Sequence, residues 1–271
     1  MQGTESFFQW ISLIGDYQNF KVIVVIDSND EEIINRLSCL KSPNISIKVK
    51  SVNSPGLARN FALPDLASDY VMFVDSDDYI YLDAINQLLN TNRTHLTIIA
   101  SYEKSNVKTK KTQRFKCPVT TMEFAAEPAL WRIIFKVSEI KGMSFTEFRM
   151  AEDQIFLSEY FTTQKKVISV GVVIYRYSTN GDAQISTAQN SRLELQKAID
   201  YIEAQPILRE CEFGSLVYAK LNLSMGFHRI RKLISMHYPA SKVIKFIVTV
   251  LNKKRSKSFD SSFELEWIVN G

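Results

Sequence analysis

The sequence has few of the residues that build disulfide frameworks and zinc sites. Its 271 residues include three histidines and three cysteines, and Cys39, Cys117 and Cys211 stand too far apart to form a paired motif. This usage favours a reducing compartment. Long apolar runs are also lacking, because no stretch reaches the ~18 residues that span a bilayer. The first residues, MQGTESFFQW, lack the basic start and apolar core of a signal peptide. We therefore expect a chain that is soluble or attached at a membrane surface.

Acidic residues are absent from one long window, residues 213–259, which holds ten lysines and arginines. Because the whole chain carries +4 and this window +10, the remainder has a net charge of −6. A basic helical face over residues 220–257 would attract an anionic membrane, each basic residue near the surface adding about 1 kcal/mol. A helical cap with solvated lysines explains the same pattern. No nucleic-acid-binding module accompanies the charge, so we expect no nucleic-acid partner.

Short apolar runs alternate with helical patterns through the first hundred residues. The strand patterns lie at 21–26, 45–50, 70–74 and 95–100, and the helical patterns between them at 30–40, 56–63 and 79–89. This β-α-β-α order predicts an α/β fold with a mostly parallel, Rossmann-like sheet flanked by helices. Ligands of such sheets bind beyond the carboxyl ends of the strands.

The second half of the chain is more helical. Its patterns predict helices over 122–136 and 151–161, a strand over 167–177, and then helices near 191–204, 214–236 and 240–252. We place a domain boundary near Asn190. The prediction is a catalytic or binding domain at 1–190 and a basic helical C-terminal region at 191–271.

Three carboxylates follow the apolar strand in the stretch YVMFVDSDDYI, namely Asp75, Asp77 and Asp78. Their mutual repulsion is unfavourable unless a cation lies among them. Clustered carboxylates suit a hard divalent cation, Mg²⁺ or Mn²⁺, and no neighbouring His or Cys points to zinc or copper. An ordinary turn or helix cap is the alternative, because Asp and Ser are common there.

Three further segments carry polar residues where the predicted strands and helices meet. VIVVIDSND ends a strand in Asp27, SPGLARNFAL places Arg59 and Asn60 in a helix after a Pro-Gly turn, and MAEDQIFL begins a helix with Glu152 and Asp153. Each has a structural explanation: Asp27 as a helix cap, Arg59 as a surface charge, and the acidic pair as a complement to the helix dipole.

The order of these four segments resembles that of the family-2 glycosyltransferases of the GT-A fold, which build bacterial capsule, lipopolysaccharide and related glycans. FVDSDDY resembles the DxD motif of the family, SPGLARNFAL its Ala-Arg-Asn segment, and MAEDQIFL its Glu-Asp pair. AEPALWRIIFKVSEI and YRYSTNGDAQIST resemble the helix before that pair and the closing strand and loop. The resemblance covers residues 5–190.

The resemblance implies roles for particular residues. Asp153 would be the catalytic base that takes the acceptor proton, and Asp75 and Asp77 would hold Mn²⁺ or Mg²⁺ against the diphosphate of a nucleotide-sugar donor. The predicted donor contacts are Asp27, Arg59, Asn60, Asp75, Asp78, Glu152, Trp131 and Arg176. Burial in a core explains Trp131 equally well, and an exposed strand end explains Arg176.

The implied function is inverting transfer of a sugar from a nucleotide donor, with UDP the expected nucleotide, to a glycan or lipid-linked acceptor. The expected location is cytoplasmic, at the inner face of the membrane. A non-catalytic or truncated relative that acts as a binding module is the alternative. A nucleotidyltransferase also uses strand-end carboxylates, but the sequence lacks the Gly-rich phosphate loop that it would need.

The sequence departs from the family pattern at its start. The usual first strand is missing, and the chain begins in what looks like the helix that follows it. In the sheet of the family that strand lies between the two strands that correspond to residues 21–26 and 70–74 of this sequence. We consider three explanations: the sequence is a piece of a longer protein, another segment fills the gap, or the two neighbouring strands pair directly. The first predicts weak nucleotide binding.

Overall fold

The computed structural model describes residues 2–27, 31–40, 42–91, 95–179, 191–217, 241, 244 and 263–270. Its first half follows the predicted alternation, except that Tyr79–Ile80, predicted as the start of a helix, form a short strand. The strands are β1 (Val22–Ile26), β2 (Ile45–Val49), β3 (Tyr70–Met72) and β4 (Tyr79–Ile80), and the helices are α1 (Gln2–Ile11), α2 (Glu31–Ser38), α3 (Pro55–Ala62) and α4 (Leu82–Thr91). Short 3₁₀ turns occupy Ile14–Asp16 and Leu63–Asp65.

The second half contains longer strands and more helices. The strands are β5 (Thr97–Asn106), β6 (Thr112–Phe115), β7 (Ile133–Lys136), β8 (Lys166–Thr179) and β9 (Glu266–Asn270). The helices are α5 (Thr121–Ala126), α6 (Val137–Ile140), α7 (Glu152–Thr163), α8 (Ser191–Leu208) and α9 (Glu212–Val217), and a 3₁₀ turn lies at Leu130–Arg132. Helix α8 confirms the helical pattern predicted from residue 191.

The prediction of one helix over residues 122–136 is wrong. Helix α5 ends at Ala126, and Glu127 takes up a non-helical conformation with φ −145° and ψ 67°. Pro128 follows it, and proline disfavours the helical conformation in the residue before it. The β-branched and aromatic residues that come next, Ile133 to Phe135, then form strand β7 instead.

The α/β class is confirmed, but the main sheet is mixed rather than mostly parallel. Its strand order is β3-β7-β5-β8-β4, with β6 added to β5 and β9 added to β8. The β5/β8 and β8/β9 pairs are parallel, whereas β3/β7, β5/β7, β4/β8 and β5/β6 are antiparallel. The unpredicted strand β7 is one cause, because it lies antiparallel between β3 and β5.

Strands β1 and β2 form a separate parallel pair. Within the described residues, β1 pairs with β2 alone and β3 with β7 alone, so neither direct pairing of β1 with β3 nor a strand between them is found. The first four residues of β1 are apolar and yet only partly buried. An apolar strand with this exposure differs from the strand covered on both faces that its composition predicts.

The main sheet has a hydrophobic cluster on each face. Alternate residues of β5 point to opposite sides, so Ile99 packs with helix α7 while Ile98 and Ala100 pack with α1 and α4. Helices α8 and α9 both pack against α7: Tyr201 contacts the Ile155 cluster, and the Phe213 ring lies 4.9 Å from the ring of Phe161. The described part of 191–271 therefore packs against the domain before it, and the boundary at Asn190 stays a prediction.

Most of the basic window at 213–259 lies outside the described residues, as do the predicted helices at 214–236 and 240–252 apart from a few positions. The start of the window forms helix α9. Among the helices that the structure describes, none combines the length and apolarity needed to cross a bilayer.

We predict that Gly214→Ala destabilises the protein by about 1–3 kcal/mol, the usual cost of overpacking a core. A Cβ at this position would lie 1.9 Å from the Leu208 carbonyl oxygen and 2.8 Å from the Ser158 hydroxyl, so helix α9 would have to move. Urea denaturation measures the change. The matched control is Gly171→Ala, whose added methyl meets no atom within 4 Å. Equal free energies of unfolding for both variants would contradict the close packing of α9 on α7 and α8.

Candidate active site

Helix α3 approaches the segment before α7 unusually closely. Its first turn is capped by the Ser54 hydroxyl, which accepts from the Leu57 amide at 3.4 Å, and Pro55 begins the helix. At Gly56 an added Cβ would lie 2.3 Å from the Thr146 carbonyl oxygen. A residue without a side chain is therefore required where α3 contacts this segment.

Asp27 holds the loop that leads into α3. Its Oδ1 accepts from the amides of Val52 and Asn53 at 2.6 and 2.8 Å, and its Oδ2 accepts from the Ser54 amide at 3.2 Å. Both carboxylate oxygens are thus engaged by backbone. The predicted contact between Asp27 and a nucleotide stays a prediction, and the structure adds a role in anchoring this loop.

Arg59 connects two of the predicted acidic segments. Its Nη2 donates to Oδ1 of Asp75 at 2.9 Å, and its Nη1 donates to Oε1 of Glu152 at 2.8 Å. The guanidinium also lies 5.3 Å from the centre of the Phe145 ring. Its side chain is 17% exposed, so these charge-assisted bonds form where solvent screening is weak. The carboxyl end of β3 and the start of α7 therefore meet at one arginine.

Asn60 fixes the neighbouring chain. Its side-chain amide donates to the Phe145 carbonyl at 2.8 Å, and its Oδ1 accepts from the Phe145 amide at 2.7 Å. This pair of bonds imitates a step of a β-ladder. The predicted contact of Asn60 with the donor stays untested, and its described bonds position the 145 segment.

Residues 75–78 form a tight turn closed by a bond of 3.2 Å from the Asp78 amide to the Asp75 carbonyl. Asp78 has no exposed area, and its two oxygens accept from the Ser178 amide and the Tyr175 hydroxyl, each at 2.6 Å. Burial, together with the Asp77 charge, raises the pKa of Asp78 to about 8. Its carboxylate therefore faces strand β8, and the interpretation of Asp78 as a turn-forming residue has direct structural support.

Asp77 is the more accessible of the two adjacent acids. Its side chain is partly exposed, and burial followed by repulsion from Asp75 raises its pKa to about 6. Mg²⁺ commonly takes one or two protein carboxylates and completes its shell with water and substrate phosphates, so two carboxylates are chemically sufficient. Oδ1 of Asp75 is already bonded to Arg59, and the metal role of Asp75 and Asp77 stays a prediction. Within the described residues, no group of three or more acidic, His or Cys side chains gathers around one point. This part of the chain thus offers two carboxylates and no complete metal cage.

Helix α7 presents Glu152 and Asp153 in its first turn. Ala151 before them has a left-handed conformation with φ 68°, which is uncommon outside glycine and sets the direction in which the helix begins. Burial and then the Glu152 charge raise the pKa of Asp153 to about 7, although Arg59 opposes the shift. The charge of Asp75 raises the pKa of Asp153 further, so the acidic turn at residues 75–78 and Asp153 lie within electrostatic reach of each other. A carboxylate with a pKa near 7 suits a general base.

Trp131 and Arg176 both pack on aromatic residues next to the acidic turn. The Trp131 ring lies parallel to Tyr175 and Tyr177 at 4.7 and 5.3 Å, as a member of an aromatic cluster. Arg176 points to the other face of β8, where its Nε donates to Glu103 at 2.5 Å and its guanidinium bonds the Tyr81 hydroxyl. Core packing and an ion pair account for these two residues, and their predicted sugar and diphosphate contacts stay untested.

Sequence reasoning missed Tyr175, which touches the acidic turn directly. Its hydroxyl accepts from the Asp75 amide at 3.2 Å as well as donating to Asp78. The strand pattern around it contains three aromatic or basic residues in a row, and alternation alone could have placed Tyr175 and Arg176 on opposite faces.

Residues 5–153 match the model of the family described as Glycosyl transferase family 2. The chain belongs to that family. The matched range contains the acidic turn, α3 and the start of α7, which are the three elements that Arg59 joins. The resemblance found in the sequence is therefore confirmed.

The family member is similar over most of its length to two curated proteins. The poly(ribitol-phosphate) beta-glucosyltransferase of Bacillus spizizenii is 24% identical over 79% of this chain and 36% of its own length. The poly(ribitol-phosphate) beta-N-acetylglucosaminyltransferase TarS of Staphylococcus aureus is 23% identical over 78% of this chain and 39% of its own. The chain thus spans well under half the length of these relatives.

The fold of this family member is also that of solved TarS structures. The complex of S. aureus TarS 1–349 with UDP-GlcNAc aligns with a TM-score of 0.59 at 20% identity, covering 77% of this chain and 63% of that one. The complex with UDP aligns with a TM-score of 0.53 at 17% identity, covering 93% of this chain and 87% of that one. This likeness supports the GT-A fold.

We predict that Arg59→Met destabilises the protein by about 3–5 kcal/mol, the usual cost of removing one partner of a buried ion pair. The change leaves Glu152 without its counter-charge in a nearly buried position. Guanidinium chloride denaturation measures the loss. Arg114→Met is the control, because this exposed arginine donates to a carbonyl, that of Gly171, and should change stability by less than about 0.5 kcal/mol. Similar losses in both variants would rule out a special role for the Arg59 bridge.

Proposed function

We propose that this chain transfers a sugar from a UDP-sugar donor to a hydroxyl group of a glycan, with inversion at the anomeric carbon. Membership of family 2 supports the transfer itself, and the UDP and UDP-GlcNAc complexes of TarS support the donor. The two curated relatives are named for poly(ribitol-phosphate). An acceptor rich in polyol phosphate is accordingly the first class to test, ahead of lipid-linked and neutral glycans.

One observation carries the proposal: Arg59 bonds both Asp75 and Glu152, at 2.9 and 2.8 Å. Asp153 follows Glu152, and the charges of Arg59 and Asp75 both act on its pKa, which supports a predicted base and a predicted diphosphate ligand within electrostatic reach of each other. A single-displacement transfer requires this arrangement, because the acceptor hydroxyl and the leaving diphosphate must flank one anomeric carbon.

The chemistry follows from the residues present. Asp153, ionised, takes the proton of the acceptor hydroxyl as that oxygen bonds to the anomeric carbon and the bond to the diphosphate breaks. One displacement of this kind inverts the centre. Mn²⁺ or Mg²⁺ held by Asp75 and Asp77 would neutralise the charge that develops on the leaving diphosphate. Arg59 keeps Asp75 in place and supplies positive charge beside it.

A binding module without catalysis is the second candidate, and the division of the strands into two sheets favours it. Strands β1 and β3 each have one neighbour within the described residues, so no described strand joins them where the family has the strand whose loop helps to hold the nucleotide base. Such a module would bind UDP or glycan without turnover.

We also propose a cytoplasmic location at the inner face of the membrane. The support is the run of positive charge at residues 220–257, which would be attracted to anionic lipid.

The test is a screen of UDP-sugars with Mn²⁺, scored first for donor hydrolysis and then for transfer to polyol-phosphate polymers. Asp77→Ala should lose hydrolysis, because it removes a metal ligand. Asp153→Asn should lower transfer at least ~10²-fold, the usual contribution of a general base, while it still binds UDP with Mn²⁺. Transfer by Asp153→Asn at the wild-type rate would assign the base elsewhere. Wild-type binding without any turnover would favour the binding module.

The rate of transfer should depend on pH through Asp153. Because its pKa is raised to about 7, the fraction that can accept a proton falls as the pH drops below 7, and is nearly complete above pH 8. We expect the transfer rate at subsaturating donor, which reports the ionisation of the free enzyme, to fall about tenfold for each pH unit well below 7. Initial rates between pH 5.5 and 8.5 measure the profile. A rate that stays constant from pH 5.5 to 7 would contradict the assignment of Asp153 as the base.

A further inference from the structure

A buried hydroxyl group of strand β8 bonds both ends of the acidic turn at residues 75–78. The Tyr175 hydroxyl accepts from the Asp75 amide at 3.2 Å and donates to Oδ2 of Asp78 at 2.6 Å. The backbone bond that closes the turn joins the same two residues. A single side chain therefore contacts the first and the last residue of the turn.

Tyr175 has little freedom to move its hydroxyl elsewhere. The side chain has no exposed area, and its ring lies against Trp131 at 4.7 Å with an angle of 16° between the planes. Its backbone is in register with Ile80, two residues after the turn. A close-packed ring on a paired strand keeps one rotamer, so its hydroxyl is a fixed point for the turn.

Strand β8 contacts the turn a second time three residues later. The Ser178 amide donates to Oδ1 of Asp78 at 2.6 Å, so both oxygens of this buried carboxylate are bound to β8. Asp77 differs, because its side chain is partly exposed and no salt bridge joins it to a cation within the described residues. The turn thus holds one acid inward and leaves its neighbour partly exposed.

We propose that Tyr175 is a positioning residue, which holds both ends of the turn and so sets the direction of the Asp75 and Asp77 carboxylates towards a divalent cation and a donor diphosphate. The identity of that ligand rests on the proposed function. Tyr175 acts through the backbone of the turn and does not touch the reacting atoms.

The test compares Tyr175→Phe with Tyr177→Phe. The first keeps the ring on Trp131 and removes the hydroxyl from the turn, and the second removes a hydroxyl from the other tyrosine stacked on Trp131. Binding of Mn²⁺ in the presence of UDP is followed by electron paramagnetic resonance of the free ion. We expect Tyr175→Phe to raise the dissociation constant for Mn²⁺ about 10–100-fold, as loss of outer-shell support usually does, and Tyr177→Phe to leave it unchanged.

Stability is measured in parallel, because Tyr175→Phe leaves the buried Asp78 carboxylate without one of its donors. If Tyr175→Phe does not fold, the double variant Tyr175→Phe with Asp78→Asn replaces it, since the neutral amide needs no charge compensation. A purely structural role lowers the melting temperature but leaves the Mn²⁺ affinity of the folded protein as in wild type. Wild-type affinity in a folded variant therefore overturns the proposal.

The remaining outcomes separate this proposal from the proposed function. Wild-type protein that binds no Mn²⁺ with UDP overturns both. If wild type binds Mn²⁺, Tyr175→Phe binds it weakly and wild type transfers no sugar, then the positioning role holds and the proposed transfer fails.

Discussion

The site depends on the two bonds of Arg59. Its guanidinium loses hydration where it is largely buried, and the carboxylates of Asp75 and Glu152 compensate for that loss. The three residues come from α3, from the end of β3 and from the start of α7, which are far apart along the chain. One planar cation with several donors can satisfy both carboxylates at once, which a lysine ammonium would do with less defined geometry. The relative placement of the acidic turn and the Glu-Asp pair is therefore set by this arginine.

The charges around Arg59 do not balance, and the imbalance accounts for the chemistry of the site. Asp75, Asp77, Glu152 and Asp153 give four acids to one described arginine, so the region is strongly negative when all four are ionised. Burial is the main cause of the raised pKa values of Asp77 and Asp153, and repulsion from the neighbouring acids adds to it. A negative region attracts a divalent cation, and a raised pKa makes Asp153 a better proton acceptor than an ordinary carboxylate near neutral pH. The clustered acids thus contribute to metal attraction and, after burial, to base strength.

The sequence could predict the acidic residues of the site and the first strands, because each of these features is visible in a short stretch of consecutive residues. The apolar runs before Asp27 and Asp75 indicate strands, and the order of the polar segments indicates the family. The patterns failed at β7, where Pro128 divides an apparently helical stretch. They also could not show whether a polar side chain contacts a ligand or bonds the backbone of the protein. Asp27 and Asn60 both bond backbone groups of segments far away in the sequence. Because every residue type has a backbone amide or carbonyl, the sequence of the partner segment gives no sign of such a bond.

Asp77 and Asp78 illustrate the same limit most directly, since two identical adjacent residues have different environments. A tight turn directs consecutive side chains in different directions, so the Asp77 side chain stays partly exposed while Asp78 enters the protein. Burying the Asp78 carboxylate is costly, and its bonds to the Tyr175 hydroxyl and the Ser178 amide offset part of that cost, since its pKa is still raised to about 8. A neutral residue would avoid the cost but could not accept two such bonds with the same geometry. The buried acid therefore gives the turn a fixed attachment to β8, and the proposed positioning role of Tyr175 extends that attachment to the partly exposed acid beside it.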